Sequence, residues 1–134
     1  MTTTDPLVLV LEGSAVHDIP SLYAEINRVF MAGEDWQLGN SLDALDDMLY
    51  GGYGTLAGRA GATVIWKDIE HSRTALGVDA TRAWLESKLA GSGTFNTIAV
   101  SAQLAALDAG TGQTYFQIVM EIFAAHPQIT LVHG

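Results

Sequence analysis

Five carboxylates and no lysine or arginine lie between Val29 and Gly58, and three of them, Asp43, Asp46 and Asp47, share the segment Ser-Leu-Asp-Ala-Leu-Asp-Asp-Met-Leu-Tyr at 41–50. Leu42, Leu45 and Leu49 recur at the i, i+3, i+7 spacing of one buried helical face, which turns Asp43, Asp46, Asp47 and Tyr50 toward solvent. Like charges at i, i+3 and i, i+4 destabilise a helix by about 0.2–0.5 kcal/mol per pair. Nothing local offsets that repulsion, so the cluster predicts a cationic partner. A second chemistry also suits the spacing: Asp43 and Asp47, one turn apart, can hold a hard cation such as magnesium and so serve a magnesium-dependent phosphoesterase. No further ligand set with motif spacing accompanies them, which disfavours that alternative. An ordinary solvated helix face is the plainer reading of the same residues.

The remaining chemistry-bearing residues are sparse. His17, His71, His126 and His133 show neither His-Glu-x-x-His spacing nor a Gly-x-Ser-x-Gly elbow, and are read as surface or core histidines. Gly51-Gly52-Tyr53-Gly54 follows a helix rather than leading from a strand into one and carries no Gly-Lys-Ser/Thr, so it predicts a binding loop and not a phosphate cradle. Glu121 is the only Asp, Glu, Lys or Arg from Ala109 to Gly134, within an otherwise apolar helix. Burying it unpaired would be costly, which places it on an exposed edge. Of the tryptophans, Trp66 and Trp84 read as packing residues, whereas Trp36, beside two acids and before a polar stretch, is the interface candidate.

The elements that position these residues alternate. Leu7 to Leu11 is a short apolar run stopped by Glu12-Gly13, which predicts a buried strand. Leu22, Tyr23, Ile26, Val29 and Phe30 mark a helix with Pro20 in its opening turn and Gly33 beyond its end. The acidic helix follows, capped by Ser41. Ala62 to Trp66 predicts a second strand, and Lys67 to Leu76 a helix stopped by Gly77. Ala80 to Ala90 and Asn96 to Ala109 are alanine-rich helical stretches bounded by Gly91, Gly93, Gly110 and Gly112. Tyr115 to Ala125 is an apolar helix ended by Pro127, and Ile129 to Val132 a closing strand. Strands alternating with helices predict an α/β single domain with a three-stranded parallel sheet covered by helices. Residues 1–6 form a tail.

A chain of 134 residues is long enough to bury a core without metal or disulfide. With 15 acids against 6 bases, net −9, it is a poor ligand for nucleic acid or anionic lipid, since phosphates would be repelled. There is no cysteine, so no thiolate chemistry and no disulfide framework, which suits the cytoplasm. The N-terminus lacks the basic region of a secretory signal, and no apolar run is long enough to cross a bilayer.

The acidic helix with its flanks, Gly39-Asn-Ser-Leu-Asp-Ala-Leu-Asp-Asp-Met-Leu49, resembles the Gly-x-Asn-Leu-Asp-Ala-Leu-x-Asp-x-Leu signature of the barstar family of ribonuclease inhibitors. The opening strand with Glu12-Gly13 and Ser21-Leu22-Tyr23 resembles that family's start, Val64-Ile-Trp-Lys-Asp-Ile-Glu-His-Ser-Arg73 its second strand and following helix, and Ile129-Thr-Leu-Val132 its last strand. The resemblance covers most of Leu7 to Thr74 and Thr114 to His133, and implies that 75–113 is a helical insertion. It also implies a noncatalytic protein, without cofactor, that plugs the active site of a small basic ribonuclease, its carboxylates standing where RNA phosphates would. Asp43 and Asp47 match two of those acids, and counting back from the closing strand sets the third at Glu121. The pattern is not complete: Asp46 and Gly52 stand where the prototype has aromatic residues, Gln37 replaces a third, and Ser41 stands where asparagine is usual. Trp36 and Tyr53, each one place from such a position, together with Tyr50, then supply the aromatic contact area. Those departures leave room for the same fold regulating a partner that is not a ribonuclease. On this reading the partner surface is Asp43, Asp46, Asp47, Glu121, Trp36, Tyr50 and Tyr53, in a toxin-immunity role inside the cell.

Overall fold

The computed structural model describes residues 7–90 and 97–134. The expected tail at 1–6, the glycine stops at 91 and 93 and the start of the second alanine-rich helix at Asn96 lie outside the described residues. Three parallel strands, β1 (Val8–Glu12), β2 (Ala62–Lys67) and β3 (Ile129–His133), form one sheet in the order β1-β2-β3. The pairing sets Leu9 beside Val64 and Val64 beside Leu131, and Leu11 beside Trp66. These alternate residues point to the core with Ala62 and Ile129, while Val8 and Val132 on the opposite face are largely exposed. The sheet is therefore packed on one face only. The expectation that β1 is buried on both faces is corrected: only Leu11 of the strand is fully buried, because β1 is an edge strand.

Six helices follow the expected alternation. The crossover from β1 to β2 holds α1 (Ile19–Phe30) and α2 (Leu42–Leu49), and that from β2 to β3 holds α3 (Ile69–Ala75), α4 (Val78–Leu89), α5 (Thr97–Asp108) and α6 (Tyr115–Ala124). The termini are set by local chemistry. Asp18 and Ser21 form a reciprocal capping box on α1, with Pro20 in its first turn, and Thr114 and Gln117 form another on α6. Tyr23, Ile26, Phe30, Leu45, Leu49, Trp66, Phe116, Val119 and Phe123 are buried in the core that α1, α2 and α6 build on the sheet. Within it the Tyr23 and Tyr115 hydroxyls lie 2.6 Å apart, each the other's partner, and burial first and the shared hydrogen bond second push the Tyr23 phenol far up.

Helices α4 and α5 form a hairpin with a small core of their own, Leu85, Val100 and Leu107. Its anchor is Trp84, which meets Tyr115 edge to face at 4.8 Å, while the Thr81 hydroxyl accepts the Tyr115 N–H at 2.7 Å. The hairpin thus rests on the start of α6 beside the acidic helix. Among the described residues no helix is long and apolar enough to cross a membrane.

Candidate functional site

The acidic helix begins at Ser41, whose hydroxyl accepts the Ala44 N–H at 3.3 Å, with Asp43 in its first turn near the positive end of the helix dipole. Leu45, Met48 and Leu49 are buried and Leu42 is half-buried, so the inward stripe sits slightly to one side of the leucine spacing. That shift separates the acids. Asp43 and Asp47 are exposed, whereas Asp46 lies at the edge of the stripe and its Oδ1 is 2.7 Å from the Nε2 of His126, a side chain only 3 % exposed. An ionised carboxylate only accepts, so Nε2 carries the proton and donates. Tyr50, 72 % exposed, leans edge to face on the same imidazole at 4.6 Å.

The flanking loops are tied down by polar contacts from α1 and from each other. Asn27 both accepts the Leu38 N–H at 2.8 Å and donates to the Leu38 carbonyl at 3.3 Å, fixing the segment that leads into α2. Glu34 accepts the Gly54 N–H at 2.8 Å, and the Thr55 hydroxyl donates to the Val29 carbonyl at 2.9 Å. Gly54 has φ +73° and sits so close to the Phe30 carbonyl that any Cβ there would collide with it at 2.3 Å. The two loops meet through Trp36 and Tyr53, whose rings are 4.8 Å apart, and Trp36 remains 44 % exposed. Burial first, and the neighbouring Asp47 charge second, push the Tyr53 phenol up, which sets Asp47 next to this aromatic pair.

Four of the five acids of 29–58 divide by use. Glu34 is spent on a loop amide and Asp46 on His126. Asp43 and Asp47 accept no hydrogen bond and join no ion pair among the described residues. Asp43 and Lys88 of α4 line one groove of about 460 Å³ with Trp84 and Tyr115, and the Lys88 ammonium stands 3.9 Å over the Trp84 ring. Burial lowers the Lys88 ammonium and the Asp43 charge partly restores it. The hairpin thus borders the acidic face at the N-terminal end of α2.

Of the sequence-predicted residues, the structure gathers Asp47 with Tyr53 and Trp36, and Asp46 with Tyr50. Glu121 is exposed, as expected, but lines a different depression with Arg73, Gln117 and His133, and none of its described contacts reaches α2. The residue that spacing did not single out is His126. Its partner is 80 residues away in the chain, and only its place beside Pro127, at the turn between the last helix and the last strand, sets it apart in the sequence. No group of three or more histidine, aspartate or glutamate side chains among the described residues is arranged to hold a metal ion.

No curated protein matches this chain. The family model described as barstar, barnase inhibitor, matches residues 7–90, which takes in β1 through α4 and the whole acidic surface. A match over more than half the length, on a three-stranded parallel sheet carrying the Leu-Asp-Ala-Leu helix, establishes that the chain belongs to the barstar family.

Proposed function

We propose that this protein is an inhibitor of a basic ribonuclease, acting in the cytoplasm of the cell that makes the enzyme. One observation carries the reading: Asp43 and Asp47 stand exposed on one side of α2, in no close ion pair among the described residues, beside two pinned loops that bring exposed Trp36 onto half-buried Tyr53. A ribonuclease cleft is lined by cations that bind phosphate, and carboxylates held at fixed spacing on a helix can take the same places. Asp47 is the central residue, flanked by Trp36 and Tyr53; Asp43 engages a second cation at the helix start, and Tyr50 supplies apolar area at the other end. Aromatic anchors beside fully desolvated charges dominate interfaces of this kind. Glu121, which lines a separate depression with Arg73 and Gln117, contributes at the periphery.

We further propose that the insertion expected at 75–113 is centred on α5, because the family match runs through α4 to residue 90; α4 itself brings Lys88 to the rim of the acidic face. The test is titration of a barnase-like ribonuclease, best the one encoded beside this protein, with wild type and Asp47→Ala, without added magnesium. Stoichiometric inhibition that collapses in the variant supports the reading, and absence of inhibition by the wild type overturns it. Added salt slows association more than it speeds dissociation, because exposed charges steer the encounter and are screened over about 8–10 Å.

A further inference from the structure

The acid closest to the middle of the helix, Asp46, is turned away from Asp43 and Asp47 and toward the corner between α6 and β3. That corner holds α2 by two side chains. His126 takes the Asp46 carboxylate at 2.7 Å, and the Gln128 amide donates to the Leu49 carbonyl, the otherwise orphan end of the helix, at 3.0 Å. The corner is itself rigidly seated: the His126 N–H donates to the Phe123 carbonyl, the His126 carbonyl accepts the Ile129 N–H, and the Gln128 carbonyl accepts the Ala62 N–H of β2. Gly61 passes so close to it that a Cβ there would lie 2.6 Å from the Gln128 carbonyl. The sheet thus reaches the acidic helix through two residues. On its other side the His126 ring carries the edge contact with Tyr50.

We infer that His126 is a positioning residue of the partner surface: resting on the inhibitor reading above, it engages the half-exposed Asp46 carboxylate and uses it to fix the C-terminal half of α2 and the exposed ring of Tyr50. Asp46 then acts through His126 and does not meet the partner's cations. An imidazole is suited to this because a ring nitrogen donates to the carboxylate while the ring itself packs against Tyr50.

The experiment is a double-mutant cycle on binding to the barnase-like ribonuclease, with Asp46→Ala, His126→Phe and their combination, and with His126→Gln, whose amide can still donate to Asp46. Asp46→Ala is expected to weaken binding about fivefold alone but less than about twofold in the His126→Phe background, since residues in contact couple and independent ones add. His126→Gln is expected to bind within about twofold of wild type, as a retained hydrogen bond should. An equal loss from Asp46→Ala in both backgrounds means that Asp46 touches the partner directly and overturns the inference. A wild type that binds no ribonuclease removes the inhibitor reading instead, and the free protein then decides the positioning. Hydrogen-exchange protection of the amides of 47–50 falls in Asp46→Ala and His126→Phe and is kept in His126→Gln if His126 positions the helix end through Asp46, and is unchanged in both variants if it does not. Asp46→Ala alters a half-exposed side chain, so it serves for both readings should His126→Phe fail to fold.

Discussion

The corner at the end of β2 and the face of α2 are built on opposite rules. At the corner, the Trp66 indole N–H donates to the Ser72 hydroxyl at 2.9 Å and that hydroxyl donates to the Gly13 carbonyl at 3.0 Å, all out of water. Phe116 and Phe123 meet the Trp66 ring edge to face, and Gly13 approaches the Lys67 carbonyl so closely that a Cβ would lie 2.2 Å from it. Every polar atom there has its partner inside the molecule. On α2 the two outward acids accept no hydrogen bond and join no close ion pair among the described residues, and a few tenths of a kcal/mol of repulsion stands between them in the free protein. The first region is optimised for the folded state alone; the second is complete only with something else bound.

If that contrast is right, substitutions at the corner should be felt in stability and those on the face in binding. Trp66→Ala removes a fully buried ring and the hydrogen bond it donates to the Ser72 hydroxyl, and should cost about 3–5 kcal/mol in urea unfolding. A loss below about 1 kcal/mol would mean the corner is not the keystone described above. Asp47→Ala should leave the unfolding midpoint within error yet cost about 2 kcal/mol or more in ribonuclease binding by calorimetry, because a cation of the cleft is left unpaired.

Glu25 tests the frame from the β1 side. Its carboxylate, 6 % exposed, accepts the Glu12 N–H at 2.6 Å and pairs with Arg28. Burial by itself raises this carboxyl, but the Arg28 hydrogen bonds and the Glu12 amide outweigh it and hold the group below the ordinary value of 4.5. The unfolded chain takes up the proton first as pH falls, so the stabilisation is complete above the unfolded value and is lost as pH drops through the lower folded one. Glu25→Gln should therefore cost about 2 kcal/mol at neutral pH and flatten the fall in stability below pH 4.5; an unchanged acid slope would argue against the pair. The smallest effect belongs to Asp43→Asn. It relieves the repulsion with Asp47 but gives up the attraction to the helix N-terminus and to Lys88, so thermal stability should change by less than about 1 kcal/mol while association with the enzyme slows; a larger fall would show that Asp43 has a structural duty.

Much of the frame is visible in the residues themselves. Period-3.6 apolar spacing marks α1, α2 and α6, the Ser41 cap and the Gly77 stop mark helix boundaries, and three short apolar runs separated by helices already imply a parallel sheet. β1 misleads because five apolar residues in a row look alike whether a strand is central or at an edge, and only neighbours decide. On the acidic helix, spacing identifies the outward face but cannot separate Asp46 from Asp43 and Asp47. All three lie within an arc that a rotation of one residue's width redistributes.

Local pattern alone determined which segments are helices and strands, that one helix concentrates negative charge, and that the net charge of −9 disfavours polyanionic ligands. It could do so because capping, periodicity and charge act between residues a few places apart. The tertiary structure decided which acids remain for a partner. His126 and Asp46 are brought together across 80 residues, Lys88 reaches Asp43 from a later helix, and Trp36 meets Tyr53 across the acidic segment, while Glu121 is carried to a separate depression. Those pairings depend on how the helices pack on the sheet, a property of the whole core that no local window contains.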